Sequence, residues 1–217
     1  MRKLVAVTQM TLDGVMQAPG GPEEDPSGGF EIGGWSFGYF DDVLGRQIGE
    51  AMASPFDLVL GRRTYEIFAA HWPHDEGPIA DRLNAATKHV ASRTLKSVDW
   101  ANSRLIEGDV AAEVAKLKEE DGPELQVLGS SELLQTLLAN GLVDEFRLWI
   151  FPVIAGSGKR LFGDGAVPAG LELTSSSASN SGVIIAAYEP AGDIKKGSFA
   201  FEEPTDAEVR RREAFEG

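Results

Sequence analysis

Residues 56–66, FDLVLGRRTYE, decide the fold class of this chain. Their first half, from Phe56 to Gly61, is a short apolar run bounded by glycine, which predicts a buried β-strand. Arg62 and Arg63 follow at once, and the residues after them begin a helical pattern. A buried strand that turns directly into a helix is the unit from which α/β proteins with parallel sheets are built.

The same alternation recurs on both sides of this segment. Further strands are predicted over residues 3–9, 88–91, 125–128 and 143–154, the last interrupted by Pro152. Helices are predicted over residues 41–53, 79–86 and 110–117 and from Ser131 to about Ala139. A further short helix is predicted to follow Arg63. Residues 171–176 and 182–189 predict a final antiparallel pair. The expected fold is α/β with three layers, a mixed and mostly parallel sheet with helices on both faces.

One long loop interrupts this regular pattern. Residues 17–38 are rich in glycine and proline, carry the acids Glu23, Glu24 and Asp25, and end in an aromatic cluster that contains Trp35 and Phe37. They predict a functional loop, whose aromatic residues either anchor it or stack on a planar ligand. We expect one domain over residues 1–190 and a C-terminal tail or dimer arm over 191–217.

Composition narrows the possible functions. The 217 residues carry a formal net charge of -14 and no cysteine. The negative charge disfavours nucleic acid and anionic membranes as partners, and the lack of cysteine excludes disulfides, thiolate nucleophiles and cysteine-ligated metals. No stretch resembles a signal peptide or a membrane span, so a cytoplasmic protein is expected.

Basic and small polar residues follow three successive predicted strands. Ligands of open α/β sheets bind beyond the carboxyl ends of the strands, so these positions predict the site. Arginine forks together with glycine and free N–H groups at helix starts suit a ligand with several phosphates. The residues are Arg62 and Arg63 after the first strand, Ser92, Arg93 and Thr94 after the second, and Gly129, Ser130 and Ser131 after the third.

Each of these groups also has a structural interpretation. The arginines alone could be solvated surface charges, and the serines could be helix caps. Their recurrence after three strands favours a ligand site. The chain has neither the G-x-G-x-x-G fingerprint after its first strand nor a P-loop. A metal site at His71, His74 and Asp75 is disfavoured because Pro73 breaks a regular helical ligand face, so no metal is predicted.

Several short segments together resemble a known family. Residues 60–66, LGRRTYE, resemble the strand-then-arginine segment of dihydrofolate reductases. Residues 11–14 (TLDG), 143–145 (VDE) and 152–158 (PVIAGSG) resemble the reductase domain of the riboflavin-biosynthesis deaminase-reductases. The resemblance covers about residues 2–190. It implies a dihydrofolate-reductase-like fold, NADPH as cofactor, and a homodimer.

The resemblance also implies roles for individual residues. Asp13 and Gly14 would flank the nicotinamide and the substrate, and Trp35 and Phe37 would shape the substrate end. The cofactor would contact Val7, Thr8, Gly61, Arg62, Arg63, Thr64, Ser92, Arg93, Gly129, Ser130, Ser131 and Leu133.

The resemblance leaves the proton donor and the substrate open. Dihydrofolate reductases carry an acid on the helix before the arginine segment, and here Asp41, Asp42 and Glu50 are the candidates, the first two preferred. Reduction of a pyrimidine of the riboflavin pathway, such as 5-amino-6-(5-phosphoribosylamino)uracil, is the first substrate class, and dihydrofolate or another pterin is the second. The rival hypothesis is a regulatory protein that binds NADP(H) without catalysis.

Overall fold

A computed structural model describes residues 1–163, 166–199 and 203–215. Eight strands form one sheet in the order β4-β3-β2-β5-β1-β6-β8-β7. Strands β4 to β6 in this order are all parallel, and β8 runs antiparallel to both β6 and β7. The strands are β1 (Leu4–Thr11), β2 (Phe56–Gly61), β3 (Lys88–Ala91), β4 (Ser103–Ile106), β5 (Glu124–Leu128), β6 (Glu145–Phe151), β7 (Leu171–Ala178) and β8 (Ile184–Pro190).

Helices cover both faces of the sheet. The α-helices are α1 (Asp42–Ala51), α2 (Arg62–His71), α3 (Pro78–Ala85), α4 (Val110–Glu119), α5 (Ser131–Ala139) and α6 (Asp206–Glu213). Successive residues of a strand point to opposite faces, and this alternation assigns the helices. Leu4 and Ala6 of β1 pack with α4 and α5, whereas Val5 and Val7 pack with α1. Helices α2 and α3 lie on the α1 side, against Leu58 of β2. The predicted three-layer α/β fold is confirmed.

The central strands are buried on both faces. The first five residues of β1 are all buried, as are Leu58, Val59 and Leu60 of β2. Parallel strands between two helical layers therefore show continuous apolar runs, which is why β1 and β2 could be read directly from the sequence. The carboxyl ends of these parallel strands lie on the same side of the sheet, where the loops that follow them meet.

Three elements differ from the sequence prediction. Strand β4 was not predicted, because its four residues are mostly half-exposed and give almost no pattern. Strand β6 ends at Phe151, because Pro152 has no N–H to continue a ladder. The tail contains α6, a helix without buried residues in which Glu208 pairs with Arg211 and Arg212. The domain division at residue 190 and the dimer arm stay predictions.

The helices of the described ranges are short. None of them has both the length and the apolar character that crossing a lipid bilayer requires.

Candidate active site

A cleft of about 1490 Å³ lies at the carboxyl ends of the parallel strands. Its walls come from the ends of β1, β2, β3 and β5 and from the loop over residues 16–25. The structure brings many of the predicted site residues together here, and their roles stay predictions. Those that line the cleft are Val7, Thr8, Phe37, Gly61, Arg62, Arg63, Thr64, Ser92, Arg93, Gly129, Ser130, Ser131 and Leu133.

The turns that follow β2 and β5 are joined to each other. The Gly61 N–H donates a 2.9 Å hydrogen bond to Ser130 Oγ. Ser130 adopts the left-handed conformation with φ 63°, directly after Gly129 with φ 62°. A Cβ added to Gly61 would lie 3.4 Å from Ser130 Cβ, in van der Waals contact, so the two turns approach each other closely. The two turns therefore form one surface at the edge of the sheet.

Helices α2 and α5 both begin at this surface without a side-chain cap. Gly61 has no side chain to offer, and the Ser130 hydroxyl is engaged by Gly61 rather than by its own helix. The first N–H groups of a helix have no partner within the helix and carry the positive end of its dipole. Two such ends side by side form a place suited to the oxygen atoms of phosphates.

Arginines surround this pair of helix starts. Arg62, the first residue of α2, donates to Thr94 Oγ1 at 3.3 Å, which connects the start of α2 with the turn after β3. Arg63 lies 3.0 Å from Asp25 in the long loop. In the turn after β3, Ser92 Oγ accepts hydrogen bonds from the backbone N–H groups of Thr94 and Leu95. The exposed Arg93, between Ser92 and Thr94 in sequence, lines the cleft.

The other part of the cleft carries polar groups that sequence reasoning missed. Gln9 and Gln126 line the cleft beside Trp149 and the α1 residue Ile48. The Thr8 hydroxyl and Gln9 Oε1 are buried and have no hydrogen-bond partner within the described part of the chain. Glutamines inside apolar strands are the only signal that could have pointed to this wall, because buried polar groups need a partner.

Three predicted substrate residues do not line the cleft. The Asp13 carboxylate accepts hydrogen bonds from the Thr11 hydroxyl at 2.6 Å and from the N–H groups of Ala155 and Gly156. Gly14 lies in the same turn. Trp35 donates from Nε1 to the Gln17 carbonyl at 2.8 Å and packs edge-on against Phe151, so its ring anchors the loop.

The predicted proton donors, Asp41 and Asp42, also lie outside the cleft lining, and their role stays a prediction. Asp41 caps α1, and its two carboxylate oxygens accept from the N–H groups of Leu44 and Ser181. The Leu44 hydrogen bond, with that of Ser181, lowers the pKa of Asp41, which favours the charged form over an acid that donates. Asp42 and Glu50 are exposed on the same helix and do not line the cleft either.

The structural role of Asp13 can be measured. The Thr11 hydroxyl, followed by the Ala155 N–H, lowers the pKa of Asp13 to about 2. The stabilisation is therefore fully present above the ordinary pKa of about 4 and is lost as pH falls toward 2. We expect Asp13→Asn to reduce the free energy of unfolding by about 1–3 kcal/mol at pH 7. In urea unfolding from pH 7 to 3, the gap between wild type and variant should narrow, and a constant gap would contradict this role.

No metal-ligand cluster occurs among the described residues, since no three His, Cys, Asp or Glu side chains are suitably grouped there. His71 Nε2 lies 3.6 Å from Asp75 in an exposed pair.

The mixed, mostly parallel sheet between two layers of helices, with a cleft at the carboxyl ends of its strands, is a fold of the dihydrofolate-reductase-like type. The family model of the RibD C-terminal domain matches residues 2–185, and the chain belongs to that family. It is 29% identical over 197 residues to the uncharacterized protein YyaP of Bacillus subtilis (strain 168), an alignment covering 86% of this chain and 94% of YyaP.

Solved structures share the fold at low sequence identity. A putative riboflavin biosynthesis protein from Shewanella sp. PV-4 aligns with a TM-score of 0.63 and 18% identity, over 87% of this chain and 98% of that one. The dihydrofolate reductase of Enterococcus faecalis, solved in complex with NADP(H), aligns with a TM-score of 0.53 and 15% identity, over 87% and 96% of the two chains. The dihydrofolate-reductase-like architecture expected from the sequence is confirmed.

Proposed function

We propose that the protein is an NADPH-dependent reductase of a heterocyclic substrate, with a pyrimidine of the riboflavin-biosynthesis type as the first class. The observation that carries the proposal is the meeting of two uncapped helix N-termini at the cleft, with Arg62 and Arg63 beside them. Membership of the RibD C-terminal domain family supports a reductase. A pterin is the second substrate class.

The residues of the cleft fit NADPH. The paired helix starts would hold the pyrophosphate, and Arg93 in the turn after β3 would hold the 2′-phosphate of the adenosine. The Thr8 hydroxyl, in the second half of β1 and without a partner in the described part of the chain, would complete its hydrogen bonds with the nicotinamide end. When bound, NADPH would supply a hydride to a polarised C=N or C=O bond of the substrate.

The protein's own contribution is alignment and the exclusion of water. The Gly61–Ser130 hydrogen bond fixes the two helix starts relative to each other, and the long loop covers one side of the cleft. Water reaching the cleft, rather than Asp41 or Asp42, would deliver the proton, because neither carboxylate lines it.

A homodimer is proposed as the assembly. All eight residues of β7 are exposed, including Leu171 and Leu173. Strand β7 pairs with β8 on one side, and its other side has no neighbouring strand among the described residues, so a free strand edge with apolar side chains faces outward. Light scattering of the purified chain measures the state directly.

Titration with NADPH and with NADH tests the function. Nicotinamide fluorescence and thermal stability should both respond, and NADPH should bind more tightly. Binding of neither dinucleotide would contradict the proposal, and the strand-end arginines would then have another anion as ligand.

Arg93→Ala separates the two dinucleotides. We expect it to weaken NADPH binding at least tenfold and NADH binding much less, because only NADPH carries the 2′-phosphate that a guanidinium fork contacts. Fluorescence titration gives both dissociation constants, with Arg46→Ala, an exposed α1 residue outside the cleft, as the control. Equal losses for both dinucleotides would contradict this role of Arg93.

A regulatory protein that binds NADP(H) without turnover is the second candidate. It is favoured by the position of Asp41, whose carboxylate is held in a helix cap. NADPH oxidation on adding the ribosylaminopyrimidinone, or on adding dihydrofolate, distinguishes an enzyme from this alternative.

A further inference from the structure

Gln9 is a polar residue on the floor of the cleft. Alternate residues of a strand share a face, so Val5, Val7, Gln9 and Thr11 form one row on the α1 side of β1. Gln9 is half-buried, whereas the other three members of the row are buried. The cleft lining includes Val7 and Gln9 but neither Val5 nor Thr11. The cleft therefore reaches this face of β1 at Gln9.

This part of the floor lies away from the strand-end arginines. The register partner of Gln9 on β6 is Trp149, which also lines the cleft. Arg62 and Arg93 follow β2 and β3, and β5 separates β2 from β1 in the sheet. Because neighbouring strands lie about 4.8 Å apart, β1 is about 10 Å from β2. The proposed function assigns the arginine half of the cleft to the cofactor phosphates, so Gln9 and Trp149 belong to the half where the substrate binds.

The side-chain oxygen of Gln9 lacks a protein partner. Gln9 Oε1 is buried and accepts no hydrogen bond within the described part of the chain. Gln126, another glutamine of the cleft, instead donates from Nε2 to Glu124 Oε1 at 2.6 Å. The Thr11 hydroxyl, next in the row, donates to Asp13 at 2.6 Å. Gln9 differs from both because the fold does not complete its hydrogen bonding, and a ligand N–H group would complete it.

The amide of Gln9 suits a ring that contains a lactam. A primary amide holds an acceptor oxygen and an N–H donor side by side in one plane. The terminal torsion of glutamine is broad, so a half-buried amide can turn its oxygen toward a ligand in the cleft. A lactam has a ring N–H next to a ring carbonyl, and it can therefore form two parallel hydrogen bonds with an amide. Trp149, on the neighbouring strand, adds aromatic surface beside this position.

We infer that Gln9 is a specificity-determining residue that binds the lactam edge of a pyrimidine-type substrate ring. In a 5,6-substituted uracil this edge is N3–H with its adjacent carbonyls, opposite the carbon atoms that carry the amino and ribosylamino groups. An edge without substituents can approach the strand, while the bulky groups extend toward the open part of the cleft. The inference rests on the proposed function, because that function assigns the arginines to the cofactor.

Two ligands that differ at one ring nitrogen test the inference without turnover. The probes are 5-amino-6-(ribosylamino)uracil and its 3-methyl derivative, titrated by calorimetry into protein saturated with NADP⁺. We expect the wild type to bind the unmethylated probe at least about tenfold more tightly, because a site that hydrogen-bonds an N–H group rejects an analogue that lacks it. In Gln9→Leu the ratio of the two dissociation constants should fall several-fold, mainly through weaker binding of the unmethylated probe.

Thermal stability separates this role from a structural one. Gln9→Leu removes a buried acceptor that has no partner, so the melting temperature of the unliganded variant should equal or exceed that of the wild type. Gln9→Met is a second variant, with an unbranched side chain that adapts to irregular gaps, and it should lose the same preference. The control is Gln47→Leu, because Gln47 contacts Glu50 on the surface of α1 and does not line the cleft. It should leave the ratio unchanged.

Several outcomes would overturn the role of Gln9. They are equal binding of the two probes by the wild type, binding of neither probe, and an unchanged ratio in both Gln9 variants. A lower melting temperature in both variants would show a structural residue instead. Weaker NADP⁺ binding in Gln9→Leu would place the amide in the cofactor site and also overturn the inference. Failure of the wild type to bind NADP⁺ or NADPH would instead contradict the proposed function.

Discussion

Ser131→Asp is expected to weaken NADPH binding about a hundredfold while leaving the protein at least as stable as the wild type. Ser131 is the first residue of α5 and lines the cleft where the two helix starts meet. A carboxylate in the first turn of a helix stabilises it by about 0.3–1 kcal/mol. The same carboxylate about 6 Å from a phosphate charge costs about 3 kcal/mol at an effective dielectric constant near 20.

Ser131→Asp is informative because it should lower the affinity for NADPH without lowering the stability of the protein. A substitution that merely damaged the fold would lower affinity and melting temperature together. Ser131→Asn is the matched control, because it has a similar size without the charge, and it should bind NADPH nearly as well as the wild type. Fluorescence titration and thermal unfolding measure the two quantities. Unchanged affinity in Ser131→Asp would show that the phosphates do not lie at the start of α5.

Gly158→Ala is expected to destabilise the protein by about 3 kcal/mol, through backbone strain and overpacking. Gly158 has φ +128°, and an added Cβ would lie 2.7 Å from Val15 Cγ1 and 2.9 Å from Phe30 Cε2. Both neighbours are buried in the small cluster beneath the long loop, so neither can move aside easily.

Gly156→Ala separates the cost of backbone strain from the cost of steric overlap at the added Cβ. Gly156 also has a positive φ, +77°, but an added Cβ would meet nothing within 4 Å. The penalty there is the left-handed conformation alone, about 1 kcal/mol. Urea unfolding gives both free energies, and equal losses would show that the cluster around Phe30 relaxes to accept a methyl group.

The reach of sequence reasoning differs between the central strands and the edges. Strand β2 was predicted at its observed bounds, because a parallel strand under helices on both faces is a nearly continuous apolar run. Strand β3 was also predicted at its observed bounds, although it begins with Lys88 and His89. Strand β4 lies at the edge of the sheet, where the half-buried Ser103 and the exposed Arg104 carry little hydrophobic signal. A short edge strand is stabilised by pairing with its neighbouring strand, and that pairing cannot be read from the amino-acid sequence of the strand alone.

The same distinction applies to the site. The residues after β2, β3 and β5 could be predicted to lie close together, because the carboxyl ends of parallel strands lie on the same side of a sheet. The assignments of Asp41 and Trp35 could not be checked in this way, because their partners are remote or depend on the folding of the loop. Asp41 bonds Ser181, 140 residues away, and Trp35 turns inward to Gln17 and Phe151. Residue type alone does not distinguish a helix cap from a proton donor.

The hydrogen bond from Gly61 to Ser130 determines when the backbone at the two helix starts becomes ordered. It connects residues 69 positions apart and holds two glycine-containing turns that would otherwise have many conformations. The backbone at the helix starts thus loses its conformational freedom when the chain folds, and little is left to lose when a dinucleotide arrives. The surface is therefore ordered before a ligand binds. The fixed shape of the turns, rather than their rearrangement, would determine which anions bind.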